Sequence, residues 1–129
     1  MIDTSAWIEF LRGEPHGDRT TRSHVRGLLA GGAALTEPVV MEILSGARSH
    51  HHEAQLRALL GSASLLPVRA EDWADAALLY RLCRVNGHTI RSMVDCLIAA
   101  VAVRHDVPVL ARHRDFEALA EHTPLRLAA

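Results

Sequence analysis

The opening stretch, Met1-Ile2-Asp3-Thr4-Ser5-Ala6-Trp7-Ile8-Glu9-Phe10-Leu11, decides the fold class. Met1-Ile2 fits the tail of a strand, and Asp3-Thr4-Ser5 ends it. Ala6 to Leu11 then has helical spacing, with Trp7, Ile8 and Leu11 on one apolar side and Gly13 as a stop. The same handover recurs downstream. Ala33 to Thr36 leads into Glu37-Pro38, where proline suits the first helical turn, and Pro108 to Ala111 leads toward a helix from Phe116 to Glu121. Leu65 to Val68 and Leu125 to Leu127 are further strand candidates. Between them the spacing predicts helices over about Thr21 to Ala30, Val39 to Ala47, Glu53 to Leu60, Glu71 to Asn86 and Ser92 to His105. Gly13 to Thr21, with Pro15 and Gly17, is expected as a loop. Strands alternating with helices argue for a parallel sheet covered on both faces.

The composition sets the outer bounds. A chain of 129 residues, 49% of them apolar, suits one domain over residues 1–129 with its own core. The longest apolar run, Cys96 to Val103, falls well short of the roughly 20 residues a bilayer span needs. The N-terminus has no basic segment followed by an apolar stretch, so a cytoplasmic location is expected, with no membrane partner. Cys83 and Cys96 lie among apolar helical neighbours and are expected as buried, reduced thiols. All 14 basic residues are Arg, so no lysine serves as base, Schiff-base former or phosphate clamp. A net charge of −1 argues against a broad basic face for polyanions. Nucleic-acid contacts must come from local Arg clusters.

Four acids carry the chemistry: Asp3, Glu42, Asp95 and Asp115. Each borders an apolar stretch near a strand-to-helix handover or in the first turns of a helix. Gathered carboxylates repel one another and are penalised by burial, so packing alone does not explain them. A hard divalent cation such as Mg²⁺ or Mn²⁺ among them does, since such ions take oxygen ligands. In parallel sheets the carboxyl ends of the strands, at a switch in strand order, are where ligands bind, and one edge can collect all four.

Each acid also has a plainer role. Ser92-Met93-Val94-Asp95 fits a capping box, and Asp3 and Asp115 suit helix starts, where the macrodipole favours an acid. Glu42 lies deeper in its helix, where local chemistry offers no such account. His50-His51-His52 is expected in a solvated loop, because adjacent histidines do not share a helix face. Trp73, Ala77, Tyr80 and Cys83 are expected as a core stripe. His113 stands two residues before Asp115.

The motifs together resemble those of the PIN-domain ribonucleases, and most closely the VapC toxins of bacterial toxin–antitoxin pairs. Ile2-Asp3-Thr4-Ser5-Ala6-Trp7 and Glu37-Pro38-Val39-Val40-Met41-Glu42-Ile43-Leu44-Ser45-Gly46 resemble the first two motifs. Thr89-Ile90-Arg91-Ser92-Met93-Val94-Asp95-Cys96-Leu97-Ile98-Ala99-Ala100 and Arg114-Asp115-Phe116 resemble the third and fourth. The resemblance covers the whole chain. It implies a PIN-like α/β/α sandwich and Mg²⁺- or Mn²⁺-dependent endoribonuclease activity on structured RNA such as tRNA or rRNA. It also implies a cognate VapB-type antitoxin and a homodimer.

Under that resemblance Asp3, Glu42 and Asp95 form the acidic core, with Asp115 as fourth member, and together they hold the metal. Thr4 or Ser5 orients Asp3 or a metal-bound water. Without metal, one acid should have a raised pKa, with Glu42 and Asp95 the candidates. Arg91, Arg112 and Arg114 are candidate phosphate contacts. Two departures stand out. His113 occupies a position where relatives commonly carry a second acid, which would weaken a second metal site. The first strand is short, which is expected to weaken the sheet edge near Asp3. Competing readings are a PIN fold that binds RNA or protein without cleaving, an active nuclease outside any toxin–antitoxin pair, and a phospho-accepting receiver. The last needs paired acids after the first strand and a lysine, and this chain has neither.

Overall fold

The computed structural model describes residues 1–13 and 16–128, so Pro15 of the expected loop lies outside it. The elements run α1 (Thr4–Arg12), α2 (Arg19–Gly31), β1 (Ala34–Leu35), α3 (Glu37–Ser45), α4 (His50–Leu60), β2 (Ser64–Leu65), α5 (Ala70–Val85), α6 (Met93–Arg104) and α7 (Arg114–His122). The sheet is made of very short extended segments. β1 pairs with β2 in parallel. The Ile2 N–H bonds the Ala34 carbonyl at 2.9 Å, and Ile2 and Leu110 form a parallel bridge, as do Val109 and Leu127. Across the sheet the order is β2, β1, Ile2, Val109–Leu110, Leu127.

That order places the first segment in the middle. The short strand was expected to weaken a sheet edge. Instead Ile2 is wholly buried and bonded on both sides. From Ile2 the chain proceeds outward to β1 and β2, then returns to Leu110 on the other side, so strand order reverses beside Asp3. Right-handed crossovers would send α1 to α4 to one face and α5 to α7 to the other. The packing agrees: α1 meets α2 and α3, α3 meets α4, and α5, α6 and α7 meet one another. The α/β fold with a parallel sheet is as expected.

Helix ends follow local chemistry. Asp18 caps α2 by accepting the Thr21 N–H at 2.8 Å, and Ser49 caps α4 by accepting from His52 at 3.0 Å. The Ser49 cap corrects the expected loop at His50-His51-His52: these residues form the first turn of α4. Ser92 makes no side-chain cap bond, so the expected capping box with Asp95 does not form. The Asp95 carboxylate is left for other work.

The core centres on Trp7, Phe116, Ile98 and the fully enclosed run Cys96 to Ala102 of α6. On α1 only Ala6 and Trp7 are buried, while Ile8 and Leu11 face outward. Cys83 and Cys96 are buried free thiols, as expected. The stripe on α5 differs from expectation. Asp72, Ala76, Leu79 and Cys83 are buried, whereas Trp73 is 65% exposed and Tyr80 half-buried. The cause is Asp72, which turns inward to an ion pair. Arg104 Nε and Nη2 donate to its two oxygens at 2.8 Å each, and the Arg69 N–H donates at 2.8 Å. Arg104 Nη2 also reaches the Pro67 carbonyl at 2.8 Å. Among the described residues no helix is long and apolar enough to cross a membrane.

Candidate active site at the carboxyl edge of the sheet

Asp3 leaves the Ile2 segment with extended backbone (φ −75°, ψ 159°) and caps α1. Its Oδ2 accepts from the Ser5 N–H at 3.0 Å and the Ser5 hydroxyl at 2.6 Å. Ser5 is held in turn, because its Oγ accepts the Arg112 N–H at 2.8 Å. Both bonds to Asp3 fall on one oxygen; Oδ1 is buried with no partner. A buried carboxylate oxygen left unpaired is costly, and a cation relieves it.

Thr4 serves a different acid from its neighbour Ser5. Its hydroxyl donates to Glu42 Oε1 at 2.7 Å, tying α1 to α3. The sequence alone left open which of the two hydroxyls orients Asp3; the bond belongs to Ser5. Thr4→Val is expected to free Glu42 and reduce RNA cleavage about tenfold, as removal of an outer-shell partner commonly does. Thr4→Ser should restore activity. Equal melting temperatures with unequal cleavage rates would identify the loss as one of positioning.

Asp115 lies in the first turn of α7 and is buried. Its Oδ2 accepts from both the backbone N–H and the Nε–H of Arg91, each at 3.2 Å. Arg91 Nη2 stands 3.0 Å from His113 Nε2. A guanidinium only donates, so Nε2 accepts and the ring proton sits on Nδ1. Nδ1 lies 3.4 Å from Asp95 Oδ2 and 3.6 Å from Asp115 Oδ2. These contacts do not qualify as hydrogen bonds, since Nδ1 is buried without a partner. Proximity to two carboxylates nevertheless places a polarised N–H between them.

Asp95, in the first turn of α6, is where the strain collects. Burial pushes its carboxyl up to about 7, and the charges of Asp3, Glu42 and Asp115 push the same way, against a smaller pull from Arg91. The four acids therefore lie near enough for the charges of Asp3, Glu42 and Asp115 to act on Asp95. Asp95, His113 and Asp115 each offer a ligand atom, all within 4.8 Å of one another. The Asp95 and Asp115 carboxylates of this group, together with the orphaned Asp3 oxygen, fit a divalent cation, while His113, with Nε2 engaged by Arg91 and its proton on Nδ1, adds no lone pair to them. His50, His51 and His52 join no such cluster among the described residues.

The three arginines are not equivalent. Arg91 is engaged with Asp115 and His113, a positioning contact that the sequence did not reveal. Arg112 is exposed, its guanidinium 3.9 Å from Asp18. Arg114 is exposed at the start of α7. It lines a cavity of about 390 Å³ that extends from Asp115 and Arg91 to His88 and Glu121.

The family model of the PIN domain matches residues 1–122. Ribonuclease VapC11 of Mycobacterium tuberculosis is 41% identical over 133 aligned positions, covering 100% of this chain and 97% of that protein. Among solved structures, FitAcB from Neisseria gonorrhoeae superposes with a TM-score of 0.78 at 21% identity, covering 99% of this chain and 95% of that one. VapBC2 from Rickettsia felis, bound to a DNA fragment from its promoter, superposes with a TM-score of 0.77 at 16% identity, covering 99% and 96%. The two solved structures share the fold with this chain.

Proposed function

This chain belongs to the PIN-domain family, in its VapC branch, and from that premise we propose that it is an endoribonuclease acting as the toxin of a toxin–antitoxin pair. Its substrate is structured RNA, either tRNA or rRNA, and its cofactor is Mg²⁺ or Mn²⁺ held by Asp3, Glu42, Asp95 and Asp115. The whole chain serves as one catalytic domain. The observation that carries this reading is Asp95, a half-buried carboxyl that feels the charges of three other acids and is pushed up to about 7. Nothing in the packing of α6 requires it, and a cation would relieve it.

Asp3, Glu42, Asp95 and Asp115 would hold the divalent ion, which would supply Lewis acidity and lower the pKa of water toward neutrality. The chain's own residues do the rest. Ser5 and the Arg112 N–H fix Asp3 so that its unpartnered Oδ1 faces the site. Thr4 fixes Glu42, whose carboxylate accepts the proton of the attacking water. Arg91 holds Asp115 through two bonds and orients His113. Arg114, exposed in the adjoining cavity, contacts substrate phosphate. Few aromatics suit recognition of RNA by shape rather than by stacking bases.

The antitoxin partner belongs to this reading as the counterpart of a toxin of the VapC branch. A homodimer is part of the same reading. One observation favours a second reading, a PIN fold that binds without cleaving: His113 lies between Asp95 and Asp115, where it offers a proton in place of an oxygen ligand. Incubation of the antitoxin-free protein with tRNA and rRNA, followed by mapping of fragment ends, decides between them. The nuclease reading expects discrete fragments with 5′-phosphates. Intact RNA from folded protein would favour the binding module.

A further inference from the structure

We infer that His88, Glu121 and His122 form a second metal site, suited to a borderline divalent ion of the Zn²⁺ class and independent of the nuclease reading. The three residues come from two elements. Beyond the end of α5, Gly87 takes φ 86°, a left-handed turn that a side chain resists, and the His88 N–H bonds back to the Cys83 carbonyl at 2.9 Å. The turn lays the His88 ring beside that of His122, with centroids 4.9 Å apart and planes inclined at 37°. Glu121 and His122 are the last two residues of α7. Each of the three offers one ligand atom, and all these atoms lie within 4.8 Å of one another.

A separate observation points to a ligand. His122 Nε2 is buried and has no hydrogen-bond partner. Its neighbouring carboxylate oxygen, Glu121 Oε2, stands 3.8 Å away, beyond hydrogen-bond range. A buried ring nitrogen without a partner is costly, and coordination to a metal removes that cost. Two imidazoles and one carboxylate suit Zn²⁺, whereas Mg²⁺ prefers oxygen donors throughout. The carboxyl end of α7 adds the negative end of its dipole, which favours a cation there. Three protein ligands leave a fourth position for water. The site shares no ligand with the acidic cluster. A bound ion would fasten the turn that precedes Arg91 to the helix that carries Asp115, stiffening the wall of the cavity between them.

The test is calorimetric titration of Zn²⁺ into tag-free, metal-stripped Asp95→Asn protein, a background that suppresses the acidic site. The expected result is binding of one equivalent with a rise in melting temperature. Adding His88→Ala should weaken that binding by at least about tenfold, and Glu121→Gln should weaken it as well. His88 is exposed, so an unchanged melting temperature without Zn²⁺ verifies that the His88→Ala chain is folded. No binding in the Asp95→Asn background would overturn the inference. Undiminished binding after His88→Ala would also overturn it, assigning the ion elsewhere, for example to His50-His51-His52.

Discussion

Asp95→Asn is expected to abolish RNA cleavage, lowering kcat/KM by a factor on the order of a thousand or more, while stabilising the metal-free protein above pH 7. The two effects share one cause. In the folded, metal-free chain the Asp95 carboxyl is pushed up to about 7, because it is half-buried and feels the charges of Asp3, Glu42 and Asp115. Unfolded, it returns to the ordinary aspartate value of 3.8. Between these values the folded state holds a proton that the unfolded state has lost, so stability falls as pH rises through the window. The penalty is absent below the lower value and complete above about pH 7. Asn never ionises and escapes it. At about 1.4 kcal/mol per pKa unit, the gain at pH 8 is expected to be on the order of 2 kcal/mol after screening. Thermal denaturation in EDTA at pH 4 and pH 8 checks this. The melting temperatures of wild type and variant should nearly coincide at pH 4 and separate at pH 8. A constant difference would show that Asp95 is not the strained acid.

The largest loss of stability is expected from Asp72→Ala, about 3–5 kcal/mol, because it strands Arg104 in the interior without its partner. Asp72 is fully buried, and the Arg104 side chain is 16% exposed. The hydrogen bond from Arg104 is the largest influence on Asp72 and holds its carboxyl below the usual range. The sign is therefore opposite to that of Asp95: this pair stabilises above the unfolded pKa and is lost as pH falls through the lowered one. Paired replacement by apolar residues, Asp72→Leu with Arg104→Met, should recover most of the loss. Chemical denaturation of the three variants measures it. A double variant as unstable as Asp72→Ala would mean that the pair supplies packing that Leu and Met do not replace.

These residues also show where the sequence stops being legible. The alternation of strands and helices, and the gathering of four acids, follow from periodicity and from carboxylates at handover points. Local signals work because each needs only neighbours a few residues away. The inward turn of Asp72 does not: it depends on Arg104, 32 residues on. Without that partner in view, the helical spacing points Trp73 to the core. The division of labour between Thr4 and Ser5 was hidden for the same reason, since Glu42 lies 38 positions from Thr4. The hold of Arg91 on Asp115 was hidden in the same way, since it spans 24 positions. At His50, by contrast, the missed signal was local, a Ser49 cap three residues before His52. His88 and His122 gave no sequence cue, since only the packing of α5 against α7 brings them together.

The central claim is that Asp3, Glu42, Asp95 and Asp115 support RNA cleavage by holding a divalent cation. Its most direct test is the cleavage rate of the purified chain on tRNA and rRNA after treatment with EDTA, followed by restoration of Mg²⁺ or Mn²⁺ in excess. The account predicts no cleavage in EDTA and recovery of discrete fragments with either ion, with Asp95→Asn inactive throughout. Cleavage that persists undiminished in EDTA would contradict it.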